Sequence, residues 1–71
     1  MDIYYVNNTL YIELLDYLDN ESKMYLKKRI ESIIGNYNVS KIIFEGYNNV
    51  YTNKVFLKEL RHAYDGKILI R

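Results

Sequence analysis

The sequence predicts a small two-layer α/β domain, ββαβαβ in order, with one four-stranded mixed sheet in strand order 1-2-3-4 and two helices on one face. Three observations predict it. Two β-branched and aromatic runs flank Asn7-Asn8, which is the signature of a hairpin. Two later stretches carry apolar residues at helical spacing, and each is followed by a short apolar run, as in parallel crossovers. With 71 residues in all, residues 1–71 have room for one core only and are read as a single domain.

The first strand covers residues 2–6 and the second residues 9–15. Asparagine tolerates positive φ better than other non-glycine residues, so Asn7-Asn8 suits a two-residue turn between them. Leu10, Ile12 and Leu14 face one way, and Tyr11, Glu13 and Leu15 the other. Asp16 to Asn20 is the crossover, with Asp19 or Asn20 placed to cap the helix that follows. Leu26, Ile30, Ile33, Ile34 and Tyr37 form that helix's apolar stripe, with Met24 at its edge. Gly35 is expected just past the end, as a left-handed C′ residue, so the helix is predicted over 20–34.

Residues 41–45, apolar at Ile42, Ile43 and Phe44, read as a central parallel strand. Gly46 to Tyr51 is expected to be an asparagine-rich loop. Thr52 or Asn53 then caps a second helix whose stripe is Phe56, Leu57, Leu60 and Tyr64. Asp65-Gly66 ends it, and residues 67–71 form the last strand.

Two crossovers of the same hand place both helices on one side of the sheet. The other face then lacks cover from this chain. Alternation puts Tyr11, Glu13, Ile43 and Leu69 there, together with one tyrosine of the first strand. An apolar patch of that kind usually marks an interaction site.

The bulk composition narrows the functional classes. Lys and Arg total 10 against 9 Asp and Glu, a formal charge of +1, which gives no general attraction to nucleic acid or anionic membrane. No apolar run approaches the roughly 18 residues of a spanning helix. The first residues lack the basic and apolar regions of a signal peptide, so a cytoplasmic protein is expected. Cysteine is absent, which removes disulfides and thiolate metal sites. The asparagine, lysine, isoleucine and tyrosine bias fits a low-GC bacterial or viral genome.

Groups that could carry chemistry are sparse, and no enzymatic activity is expected. His62 is the single histidine, beside Arg61 and within helical reach of Glu59 and Asp65, and reads as an exposed helix residue. Asp16, Asp19 and Glu21 gather at a helix start, where capping and dipole complementation explain them without a metal. Gly46 at the end of a parallel strand has neither a GxGxxG spacing nor a lysine-serine pair, so no phosphate cradle is expected. No cofactor, metal or small-molecule substrate is implied. Lys23, Lys27, Lys28 and Arg29, with Lys54, Lys58 and Arg61, give the helices a basic tilt. Solvated helix faces account for it better than RNA binding, since the chain runs ββαβαβ rather than the βαββαβ of an RNA-recognition motif and lacks that motif's aromatic strand signature. Ser22, Ser40 and Thr52 are read as cap or turn residues.

The run Leu10 to Asp19, the helix after it, and Val39 to Glu45 resemble the opening of a STAS domain, the fold of bacterial anti-sigma-factor antagonists. Asp16-Tyr17-Leu18-Asp19 stands where that family has its G-x-L-D crossover, with aspartate in place of glycine. Glu45 stands where the family's strand ends in aspartate, and Asn49-Val50-Tyr51 resembles its turn into the second helix. The resemblance covers about residues 3–53 and rests on motifs that many ββαβ units share. It departs at the family's phosphorylation switch, Asp-Ser-(Ser/Gly)-Gly, because residues 51–55 are Tyr-Thr-Asn-Lys-Val. The resemblance implies a regulatory, partner-binding protein without that switch.

The expected function is therefore non-catalytic protein–protein association. The contact surface is expected on the open sheet face (Tyr11, Ile43, Leu69) or on the loop into the second helix, with Tyr47, Tyr51, Thr52 and Phe56 as candidates. Aromatic side chains dominate binding hot spots. A homodimer pairing open sheet faces, broken by Ile43→Lys, and a weak RNA-binding module are the alternatives.

Overall fold

The computed structural model describes residues 1–46, 48–64 and 66–70. Strands β1 (Asp2–Val6) and β2 (Thr9–Glu13) form the hairpin, followed by α1 (Asn20–Asn36) and β3 (Lys41–Glu45). The short helix α2 (Asn48–Thr52), α3 (Lys54–Ala63) and β4 (Ile68–Ile70) complete the chain. The sheet has four strands in the order β1-β2-β3-β4, antiparallel at the hairpin and parallel elsewhere.

Asn7 and Asn8 both take positive φ, 51° and 61°, as a two-residue hairpin turn of primed type requires. The turn is also fastened to the approach to β3. The Asn8 carbonyl accepts from the Ser40 amide at 2.8 Å, and the Tyr5 hydroxyl donates to the Asn38 carbonyl at 2.6 Å.

Register decides which side chains enter the core. Leu10, Ile42 and Ile68 lie side by side across β2, β3 and β4, and Ile12 lies beside Phe44. All five are buried under Leu26, Ile30 and Ile33 of α1 and Phe56, Leu57 and Leu60 of α3. Both long helices thus cover the same face. Burying each such side chain fully is worth about 1.5–3 kcal/mol of transfer free energy. Leu14, Leu18 and Val39 close the core at the loops.

Four local expectations are corrected. Gly35 lies inside α1, which runs on to Asn36, and the Tyr37 amide bonds to the Ile33 carbonyl to close the last turn. The second strand stops at Glu13, because the chain must turn toward the helix layer to bury Leu14 and Leu18. The loop after β3 is partly helical, forming α2. Asn53 stands at the N-cap of α3 yet makes no cap bond, since its side chain is engaged elsewhere. Asp65 and the final strand residue Arg71 lie outside the described residues.

Candidate functional site

The loops that leave β2 and β3 meet at one pole of the sheet, and two asparagines of the α2 region hold them together. Gly46 starts the arrangement at φ 142°, with the position of an added Cβ only 2.4 Å from the Leu14 carbonyl oxygen. No side chain fits there, so the two chain segments can touch. Asn49 Nδ2 donates to the same Leu14 carbonyl at 3.0 Å.

Asn53 makes the larger connection. Its Oδ1 accepts from the Leu18 amide at 2.9 Å, and its Nδ2 donates to the carbonyls of Asp16 at 3.2 Å and Asn49 at 2.7 Å. At 2% exposure it is the buried polar side chain among the described residues, and every polar atom it carries is satisfied. An amide suits the position because it offers an acceptor and two donors on one short stem. Asn49 and Asn53 stand four apart, hence on one side of a helical turn.

The clamp fixes a set of exposed apolar side chains. Tyr17 is 60% and Tyr51 69% exposed, and Leu15 and Val55 also lie open to solvent. Lys23 Nζ sits 5.6 Å from the Tyr17 ring centre, and Lys54 Nζ 4.8 Å from that of Tyr51. Both distances fall within cation–π range. Beside Tyr51 a cleft of about 510 Å³ runs along α3 toward β4, floored by Val50, Leu57 and Ile70 and rimmed by Lys54, Lys58 and Arg61. On the other flank, between α1 and α3, Met24 and the edge of Phe56 line a cleft of about 500 Å³ with Lys23 and Lys27 at its mouth. Asp19 caps α1 by accepting from the Ser22 amide at 2.8 Å. The Ser22 backbone amide, then the Ser22 side chain, hold its carboxyl below the ordinary value.

The expected site residues separate into different surfaces. Tyr51 and Thr52 are exposed at the pole, where the Thr52 hydroxyl donates to the Asn49 carbonyl at 3.2 Å. Phe56, an anchor candidate that also belonged to the second helix's apolar stripe, lies in the core at 3% exposure, as the stripe requires, and so is not a surface anchor. Tyr47 lies outside the described residues. Tyr11, Ile43 and Leu69 are neighbours in one row of the uncovered face, with Tyr4 at its end. The rings of Tyr4 and Tyr11 stack at 5.0 Å with 11° between planes. Ile43, however, is only 6% exposed between Tyr11 and Leu69 in that row, while Leu69 is 48% and Tyr4 49% exposed.

Sequence reading missed the roles of Asn53, Asn49 and Tyr17. The spacing of Asn49 and Asn53 was a signal, but a cap and a clamp use the same residue type. Among the described residues, no three His, Asp or Glu side chains gather closely enough to hold a metal ion, and no helix is long and apolar enough to cross a membrane. Compared with known proteins, the chain matches no family model, no curated protein and no solved structure. Its function must be argued from the surfaces themselves.

Proposed function

We propose that this chain is a non-catalytic protein-binding domain of the cytoplasm that engages a partner through the loop pole. The observation that carries the reading is the pairing of rigidity with exposure. Asn53 and Asn49 brace the backbone from both sides, while Tyr17 and Tyr51 on that same backbone stay open to solvent. A braced aromatic loses little conformational freedom on binding, which favours affinity. The cationic rim of Lys54, Lys58 and Arg61 beside Tyr51 suits a partner segment that mixes apolar and acidic side chains. The regulatory role implied by the STAS-like sequence pattern is the sharper form of this reading, with binding that does not depend on a phosphorylated serine.

The test is comparative capture from cell extract of the source organism. Wild-type protein is immobilised beside Tyr17→Ala/Tyr51→Ala and beside Lys28→Ala, an exposed α1 control. A protein retained by wild type and control, and lost by the tyrosine variant, is the expected result. Identical retention by all three would place any binding elsewhere and end the reading.

A further inference from the structure

Strand β4 ends the strand order on one side of the sheet, and among the described residues nothing pairs with its outer edge. The ladder to β3 decides which backbone groups face outward. The Ile42 amide donates to the Lys67 carbonyl at 2.7 Å, and Ile42 lies beside Ile68. A parallel pair bonds through alternate residues, so the Lys67 carbonyl and both backbone groups of Leu69 turn toward β3. The amides and carbonyls of Ile68 and Ile70 therefore point away from the sheet.

A groove runs along that edge, between β4 and α3. Its pole end is the cleft of about 510 Å³ beside Tyr51, with Ile70 in its floor. Next to it lies a cleft of about 540 Å³ that passes Ile68 and Leu69, and Lys58 and Arg61 line both. Ile68 and Leu69 send their side chains to opposite faces, so a cleft lined by both reaches the backbone edge itself. Lys54, Lys58 and Arg61 follow one another at helical spacing over about 10 Å of α3, the length of β4 as well. Among the described residues no carboxylate lines either cleft, and Lys58 and Arg61 form no ion pair. Beside β1, the other edge strand, the Tyr5 ring lies 5.3 Å from that of Tyr37 and fills the angle between the strand and the end of α1.

We propose that β4 accepts an extended acidic segment of a partner protein as a fifth strand of the sheet. Backbone bonds to Ile68 and Ile70 hold the segment, and its alternate side chains serve different surfaces. Those on the helix side face Lys54, Lys58 and Arg61 and are acidic. Those on the other side extend the row that ends at Leu69 and are apolar. A second copy does not fit the edge. Two β4 strands paired antiparallel set Lys58 and Arg61 beside their own counterparts, and like charges repel. The cations thus guard the edge against self-association and leave it to a segment of opposite charge. The inference deepens the pole reading and rests on it for a protein partner, yet the two fail separately. Capture that needs Tyr17 and Tyr51, seen without the protection described next, would remove the strand addition and leave that reading standing.

Amide hydrogen exchange followed by NMR tests it, with a blocked octapeptide alternating valine and glutamate as the probe. In the free protein the Leu69 amide should exchange slowly and those of Ile68 and Ile70 fast. Slow exchange at Ile68 and Ile70 without peptide would mean that the edge is already covered, and overturns the proposal. So short an edge binds weakly, with dissociation of the order of 0.1–1 mM, so millimolar peptide should slow Ile68 and Ile70 at least about threefold. A peptide that protects neither amide overturns it. Methylating the peptide nitrogens of every glutamate, or of every valine, should abolish binding in one case and spare it in the other, because only alternate amides face β4. Equal effects of the two sets rule out an added strand. The double variant Lys58→Glu/Arg61→Glu, at two exposed positions, should bind the glutamate peptide at least about tenfold more weakly and accept a valine–lysine peptide instead. Oligouridylate that shifts the Lys58 and Arg61 signals, while the peptide leaves the edge unprotected, would assign the groove to nucleic acid and overturn the proposal.

Discussion

Asn53 Oδ1 accepts a 2.9 Å hydrogen bond from the backbone amide of Leu18, across 35 positions of sequence. The bond joins the crossover after β2 to the N-cap of α3, just past the end of α2. The Leu18 side chain is buried just behind it, so the amide has no water to turn to if Asn53 is removed.

Asn53→Ala should therefore cost about 2–4 kcal/mol, because it orphans the buried Leu18 amide and removes donors from two carbonyls. Urea unfolding measures it through the midpoint. Asn53→Asp should also destabilise near neutral pH, since a carboxylate faces the Asp16 and Asn49 carbonyls that Nδ2 now satisfies. That defect raises the folded-state pKa of the new carboxyl. The variant should thus regain stability as pH falls through that raised value, relative to wild type. A variant as stable as wild type at pH 7 would show that the clamp's hydrogen bonds contribute nothing to stability.

The glycines at positions 35 and 46 should respond to alanine with opposite signs. Gly46 has φ 142° and no space for a Cβ beside Leu14, so Gly46→Ala should lose about 3 kcal/mol or leave the chain unfolded. Gly35 is helical with open space around it, so Gly35→Ala should gain about 0.5–1 kcal/mol. Thermal melts of the two variants decide. A loss at position 35 would return it to the left-handed C′ role that the sequence alone suggested.

That contrast shows where sequence reading works in this chain. The hairpin was legible because Asn7-Asn8 determines its own local conformation, and the rows across the sheet were legible because alternation has a period of two. The end of α1 was not, since a glycine fits a helix interior as well as a helix stop. At the pole, the residue types were visible and the pairings were not. Asn53 looks like an N-cap in sequence, and only the return of the crossover to within hydrogen-bond distance makes it a clamp. Phe56 had two roles in the sequence, stripe residue of the second helix and aromatic beside the loop, and the stripe decides: it lies in the core.

Two ionisable groups should mark the limits of the stability profile. Hydrogen bonds from Ser22 lower the Asp19 pKa from its ordinary 3.8. Its contribution is full above the unfolded value and disappears as pH falls through the lower folded one. Burial, then the charge of Glu31, raises the pKa of Tyr64 from 10.0. Its contribution is full below the unfolded value and disappears as pH rises through the higher folded one. Melting temperature followed from pH 2 to 12 should accordingly lose part of its acid dependence in Asp19→Asn and part of its alkaline dependence in Tyr64→Phe. An unchanged acid limb in Asp19→Asn would assign that limb to other carboxylates.

Phe56 and Tyr51 stand five positions apart and should separate stability from binding. Phe56 packs in the core at 3% exposure, while Tyr51 is 69% exposed with Lys54 over its ring. Phe56→Ala removes a ring from a closed site and should cost about 3–5 kcal/mol, which for a domain of this size approaches the whole of its stability. Tyr51→Ala breaks one exposed cation–π contact and should change stability by no more than about 0.5–1 kcal/mol. Urea titrations of both variants, read beside the capture experiment, keep the two properties distinct. If Tyr51→Ala unfolded the protein, loss of a partner by that variant would say nothing about the pole as a binding surface. With the fold intact, the same loss is attributable to the ring itself.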